Sequence, residues 1–314
     1  MSVAGASASG AESTGVGAGS EVGPLGLLHI SGPDARAFLQ GQLSNDLELL
    51  GASSVLPAAL STPQGRVVAV LWLFQGEDGI FALLARSLVK DTLQRLRKYV
   101  LRSKVRLADA TPDFQVMPLI GITVARIAGR VGITGSPRSV ARTERLLVVA
   151  LGGPTPRAAV IGPPEVVARA LRDVSASAAD DNAWRLAQID AGEAQVYPET
   201  AGQFVAQMLN LDLVGAISFT KGCYTGQEII ARTHHLGRIK RRTLRFETAA
   251  GTLLQRMQAV AVGDGRSGKV LDWATRPDGT VELLAVVSAS SSDEAAAAAV
   301  ILSPLPLPYE IPAG

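Results

Sequence analysis

The sequence predicts an α+β protein made of two α+β modules and a small C-terminal β-barrel or sandwich, and three observations carry that reading. Residues 25–110 alternate strand-like runs with two amphipathic helical patterns. Residues 111–179 carry short Val/Ile segments broken by Gly and Pro, the pattern of a second strand-and-helix module. Beyond Arg242 the text is strand and turn alone. The expected division is a disordered tail over 1–24, modules over 25–110 and 111–242, and the β unit over 243–314.

The elements follow in order. "LGLLHISGPDARAFLQGQLSNDLELL" reads as a strand and then a helix, with Ser31 and Asp34 spaced as a capping box and Pro33 in the first turn. Phe38, Leu39, Leu43 and Leu47 fall on one helical side. Residues 54–86 read as two or three strands turned at Pro63-Gln64-Gly65 and Glu77-Asp78-Gly79, with 67–74 a buried strand. "SLVKDTLQRLRKYVL" is an amphipathic helix whose Leu88, Leu93, Leu96 and Val100 oppose Arg95, Arg97 and Lys98. "KVRLADA" is one more strand. A helix from about Ala183 is expected to be capped by Asp181 or Asn182 and stopped at Gly192. "GAISF" is strand-like, and a further helix follows with Thr225 and Glu228 at capping-box spacing and Gly237 as its end. Asp264-Gly265 and Asp278-Gly279 mark hairpins of the last unit.

Composition narrows the function classes. Hydrophobic residues at 47%, charged residues at 18% and a mean hydropathy of +0.24 describe a globular chain with a substantial core. The longest apolar runs, from Val67 and from Ala295, are shorter than the roughly 18 residues that span a bilayer, so no membrane partner is expected. The Gly/Ala/Ser-rich start has no basic residue before Arg36, which removes the usual secretory and organellar signals. One cysteine and three histidines make neither an intrachain disulfide nor, unless carboxylates help, a conventional zinc site, so a reducing, cytoplasmic setting without a metal is expected, and nothing in the sequence demands more than a monomer. A net charge of +2 is too mild to argue for nucleic acid, but two local clusters are not. Residues 95–106 offer Arg95, Arg97, Lys98, Arg102, Lys104 and Arg106; residues 231–245 offer Arg232, Arg238, Lys240, Arg241, Arg242 and Arg245. Such runs are usually solvated faces, yet they suit a polyanion such as RNA or the glutamate tail of a folate.

The single cysteine lies in "SFTKGCYTGQEIIART", just ahead of the helix start. A helix N-terminus and Lys221 two residues away would favour its thiolate, and Gly222 and Gly226 would let backbone approach a ligand. The bland alternative is a small buried hydrophobe beside a cap and a turn. His234 and His235 fall in the last turn, where they favour the helix dipole and lie too far along the helix to serve Cys223 as a base.

Residues 184–242, with the run Lys221-Gly222-Cys223-Tyr224 followed by Gly226-Gln227-Glu228, strongly resemble the YgfZ folate-binding family. "SGPDARAFLQGQLSNDL", "STPQGRV" and "LRKYVLRSKVRLAD" extend the resemblance, whereas 111–179 is generic and Ala206 stands where the family typically has proline. The resemblance implies a fold like the glycine-cleavage T-protein, with two α+β modules and a C-terminal β-barrel around a central cavity for tetrahydrofolate or a folate derivative. It also implies a role with iron–sulfur client enzymes, including one that thiomethylates tRNA. By that resemblance Cys223 is a functional thiol aided by Lys221. The cofactor would be held by Gln207, Asn210, Lys221, Gly222, Cys223, Tyr224, Gly226, Gln227, Glu228 and Arg232. The rival readings are a one-carbon transferase and a tRNA- or partner-binding module with structural folate. Residues 61–76 contain no acidic residue, which argues against aminomethyl transfer.

Overall fold

The computed structural model describes residues 23–132, 137–143, 145–236, 239–291 and 300–312. Most of the N-terminal tail, Gly237, Arg238 and most of the alanine run from Ala295 lie outside them. The first sheet has the order β2-β3-β4-β1-β5, built from β1 (Leu25–Ser31), β2 (Val55–Ser61), β3 (Val67–Gln75), β4 (Ile80–Ala85) and β5 (Arg106–Asp109). Residues 67–74 are buried throughout because this sheet is covered on both faces. Trp72, Phe74, Phe81 and Leu83 pack toward a second sheet. Leu28, Ile30, Val70 and Leu84 pack toward α1 (Ala35–Gln42) and α2 (Val89–Arg97).

The second sheet is β6-β9-β8-β7, from β6 (Gln115–Ile120), β7 (Ser139–Arg142), β8 (Leu147–Leu151) and β9 (Arg157–Gly162). Its outer face is closed by α3 (Ile122–Val131) and α4 (Pro164–Asp173) through Val124, Ile127, Val167 and Leu171. The layers therefore run helix, sheet, sheet, helix. Helix α5 (Asp181–Asp190) puts Trp184 into the core between the sheets and lies against the last unit. That unit is a closed barrel of β10 (Arg241–Thr248), β11 (Ala259–Val262), β12 (Arg266–Thr275), β13 (Val281–Ser291) and β14 (Ile301–Leu305), in the order β10-β13-β12-β11-β14. Period-two alternation sends Val281, Leu283, Ala285 and Val287 inside it, while Leu284 and Val286 join the core beneath the first sheet. Both Asp-Gly hairpins are present, with Gly265 and Gly279 at positive φ.

Several local expectations need correction. Helix α1 has Asp34 at its N-cap without a side-chain cap bond; the carboxylate instead accepts from the Lys104 amide at 2.7 Å. Helix α2 ends at Arg97, and the next residues close as i→i−3 turns, so Val100 lies beyond it. The α5 cap is Asp180, one residue before the expected pair, accepting from Ala183 at 2.7 Å. "GAISF" forms no strand: it runs beside Ser44, whose hydroxyl donates to the Ala216 carbonyl while its own carbonyl receives the Ser218 amide.

Candidate functional site: a thiol loop and a central cleft

Residues 221–226 form a loop leading into α6 (Gln227–Leu236), and its shape is set from below. The Lys221 ammonium donates to the backbone carbonyls of Gln40 (2.7 Å), Leu43 (2.9 Å) and Asn45 (2.7 Å). All three of its protons are thus committed to carbonyls at the C-terminal end of α1, where a cation is favoured. Burial lowers its pKa to about 8, with Asp46 acting in the opposite sense. The Asp46 carboxylate is itself held below its ordinary range, chiefly by the Gln40 amide. Lysine 221 is a strut of this loop.

Glycine 226 has φ +85°, and a Cβ there would fall 2.5 Å from the Thr62 carbonyl oxygen and 3.1 Å from the Gly65 Cα. The loop therefore seats on the β2–β3 turn through two glycines. Tyr224 is buried, and that burial pushes its phenol up to about 12. The Thr225 hydroxyl lies 3.3 Å from Gln42 Oε1 and does not cap the helix, which begins two residues later. What remains outside is Cys223, exposed and free, beside the exposed Gly222; Glu228 and Arg232 are exposed on α6 and Gln227 half-buried. His234 stacks on Phe219 at 3.7 Å between centroids. His29 stacks on Phe81, on the face of the first sheet opposite the one that packs Tyr224.

Gln207 and Asn210 are wholly buried beneath this loop. Gln207 donates to the Ile230 carbonyl at 2.6 Å, and its Oε1 is buried without a partner among the described residues. Asn210, in the left-handed region at φ +56°, donates to the Thr243 carbonyl and the Tyr309 hydroxyl. Arg242 pairs through two bonds with Asp212 and donates to the Gln207 carbonyl, fastening the barrel to this segment.

A separate cleft opens where the first sheet, the second module and the C-terminal segment meet. Its outer part is about 550 Å³ and is walled by Arg138, Gly152, Glu193, Val214 and Tyr309 among others. Glu193 and Val214 also line a narrow inner space of about 10 Å³, room for about one water, faced by Val70, Trp72 and Gln188. The Arg138 guanidinium stands over the Trp72 ring at 5.5 Å and donates to the Val214 carbonyl at 2.6 Å. Glu193 is held by the fully buried Arg157 and lies 3.7 Å from Arg138. The Tyr309 hydroxyl donates to the Gly192 carbonyl, and burial raises its pKa to about 12. None of the ten residues expected to hold the cofactor lines either part of this cleft.

Comparison with known proteins sets this geometry in context. No family model matches the chain. A tRNA-modifying protein YgfZ from Edwardsiella ictaluri is 30% identical over 274 residues, covering 83% of this chain and 82% of that protein. The chain belongs to the YgfZ family. A YgfZ of the same description from Serratia proteamaculans is 30% identical over 275 residues, with the same coverage of each chain. Among solved structures, the glycine cleavage system aminomethyltransferase T from Bartonella henselae aligns with a TM-score of 0.65 at 16% identity, covering 84% of this YgfZ-family chain and 76% of that one. The T-protein-like fold is therefore established along with the family.

Sequence reading alone missed Trp72, Arg138, Arg157, Gln188 and Glu193. Glu193 carries a faint signal, an acidic residue directly after the helix stop Gly192 and within the stretch that carries the family resemblance. Arg138 and Arg157 come from the generic middle region, where nothing local marks them. Among the described residues no group of three metal-ligating side chains converges, and no helix is long and apolar enough to cross a membrane.

Proposed function

We propose that this protein binds a reduced folate in the central cleft and acts in tRNA modification as an accessory to iron–sulfur enzymes, with Cys223 presenting its thiol from the outside of the molecule. The observation that carries the folate reading is the chemistry of the cleft. A pterin is a flat ring with N–H groups along one edge, and a folate tail carries carboxylates; in the wall of the outer cleft the Glu193 carboxylate offers an acceptor, Tyr309 an aromatic side chain and Arg138 a cation. The outer volume falls within the roughly 300–1,000 Å³ of small-molecule sites. When bound, a reduced folate supplies a carrier for a one-carbon unit. The chain's own part is to hold the ring and tail.

Relatives described as tRNA-modifying proteins support the second half of the reading. So does the way the motif is spent: Lys221, Gly226 and Tyr224 shape a loop that leaves one thiol accessible, suited to a sulfur or iron transfer step with a client enzyme. The test is complementation of a strain lacking its family member, with thiomethylated tRNA quantified by mass spectrometry. Wild type restores the modification, Cys223→Ala does not, and Arg138→Ala restores it only in part. Full restoration by both variants would overturn the proposal.

A further inference from the structure

The two basic runs of the sequence, alike in composition, have different fates in the fold. In the second, Arg242 is bound to Asp212 and Arg245 to Asp190 and Glu282. Its Arg232, Lys240 and Arg241 stay exposed and make no ion pair among the described residues, so this run is divided between pairing and solvent. In the first, Arg97, Lys98, Arg102, Lys104 and Arg106 are exposed, and among the described residues none of them makes an ion pair. Only the Arg97 guanidinium is engaged, with the Leu107 carbonyl. The acidic neighbours are few: Asp109 accepts from the Thr111 amide, Asp34 from the Lys104 amide, and Asp91 lies on α2.

The same segment leaves Leu101 at 87% exposure and Tyr99 at 37%. A chain that buries every residue of 67–74 here exposes an aliphatic and an aromatic side chain amid five cations that make no ion pair among the described residues. Cations that follow a phosphate backbone, with a ring at hand for a base, are the makings of an RNA contact. Position strengthens the case. The segment is tied to the start of α1 by the Asp34–Lys104 bond, and the thiol loop is tied to the end of α1 by Lys221. Eight helical residues rise about 12 Å, roughly four nucleotides of a helical strand.

We propose that the knob formed by residues 97–106 docks an RNA strand and lays it along α1 toward Cys223. This rests on the tRNA half of the function proposed above and adds the surface and its polarity. It gives the exposed thiol a client that arrives from a defined side.

The test is fluorescence anisotropy of an unmodified tRNA with the full chain between 50 and 200 mM salt. The variants are Lys98→Ala/Arg102→Ala/Lys104→Ala and, as a control of the other run, Lys240→Ala/Arg241→Ala. The triple variant should lose at least tenfold in affinity at low salt and flatten the salt slope by about 2 to 3, while the double variant changes little. Tyr99→Ala should weaken binding without altering the slope. Equal losses in triple and double variants, or displacement of the tRNA by polyglutamate of equal charge as readily as by RNA, would overturn the proposal, the latter in favour of an acidic protein. Folate titration of the same samples separates the two readings: no tRNA binding with folate binding intact overturns the knob alone.

Discussion

Gly65 and Gly226 meet backbone to backbone, with the Gly226 carbonyl and the Ile229 side chain closing over the space where a Gly65 Cβ would stand. This contact joins the β2–β3 turn to the thiol loop. It fixes where Cys223 emerges.

Gly226→Ala should therefore be costly. The residue sits at φ +85°, and the added methyl would collide with the Thr62 carbonyl oxygen. Strain in that region alone is about 1–3 kcal/mol, so a loss of at least about 2 kcal/mol is expected in urea denaturation. Gly222→Ala meets open space and should change stability by no more than about 0.5 kcal/mol.

Glu193→Ala should destabilise the fold by about 3–5 kcal/mol, because it strands the wholly buried Arg157 without its carboxylate. Glu193→Gln, which still accepts a bond, should cost less. Thermal denaturation of the pair distinguishes a lost partner from a lost shape.

Stability should rise from about pH 8 to pH 10 and fall beyond. Lys221 titrates near 8 in the folded chain and near 10.4 when unfolded, so across that interval the unfolded chain holds more protons and stability grows with pH. Tyr224 and Tyr309 titrate near 12 folded and near 10 unfolded, so above pH 10 the folded chain holds more protons and stability declines. Urea midpoints at closely spaced pH values test this. Lys221→Met should remove the rising limb and leave the falling one.

Much of the architecture is legible from periodicity and punctuation. The buried run 67–74, the turns at Gly65 and Gly79, and the two Asp-Gly hairpins all report local chemistry that the fold uses as written. Helix boundaries are less so: Asp34 looks like a cap but is taken by the Lys104 amide, and Asp180 caps where Asp181 is the equally plausible neighbour. The site divides in the same way. The motif announces Cys223 and its loop, but it cannot announce that Lys221 faces inward to three carbonyls supplied by a helix about 180 residues earlier. The cleft is assembled from Trp72, Arg138 and Glu193, three residues on separate elements with no shared local pattern, so only the tertiary fold brings them together.

The most direct test of the central claim is anaerobic calorimetric titration with tetrahydrofolate of wild type, Arg138→Ala and Cys223→Ala. The account predicts saturable binding by wild type, weakened about tenfold or more by Arg138→Ala and unchanged by Cys223→Ala, since the cleft and the thiol loop are separate places. Absence of binding by wild type, or binding lost with Cys223→Ala and kept with Arg138→Ala, would contradict it.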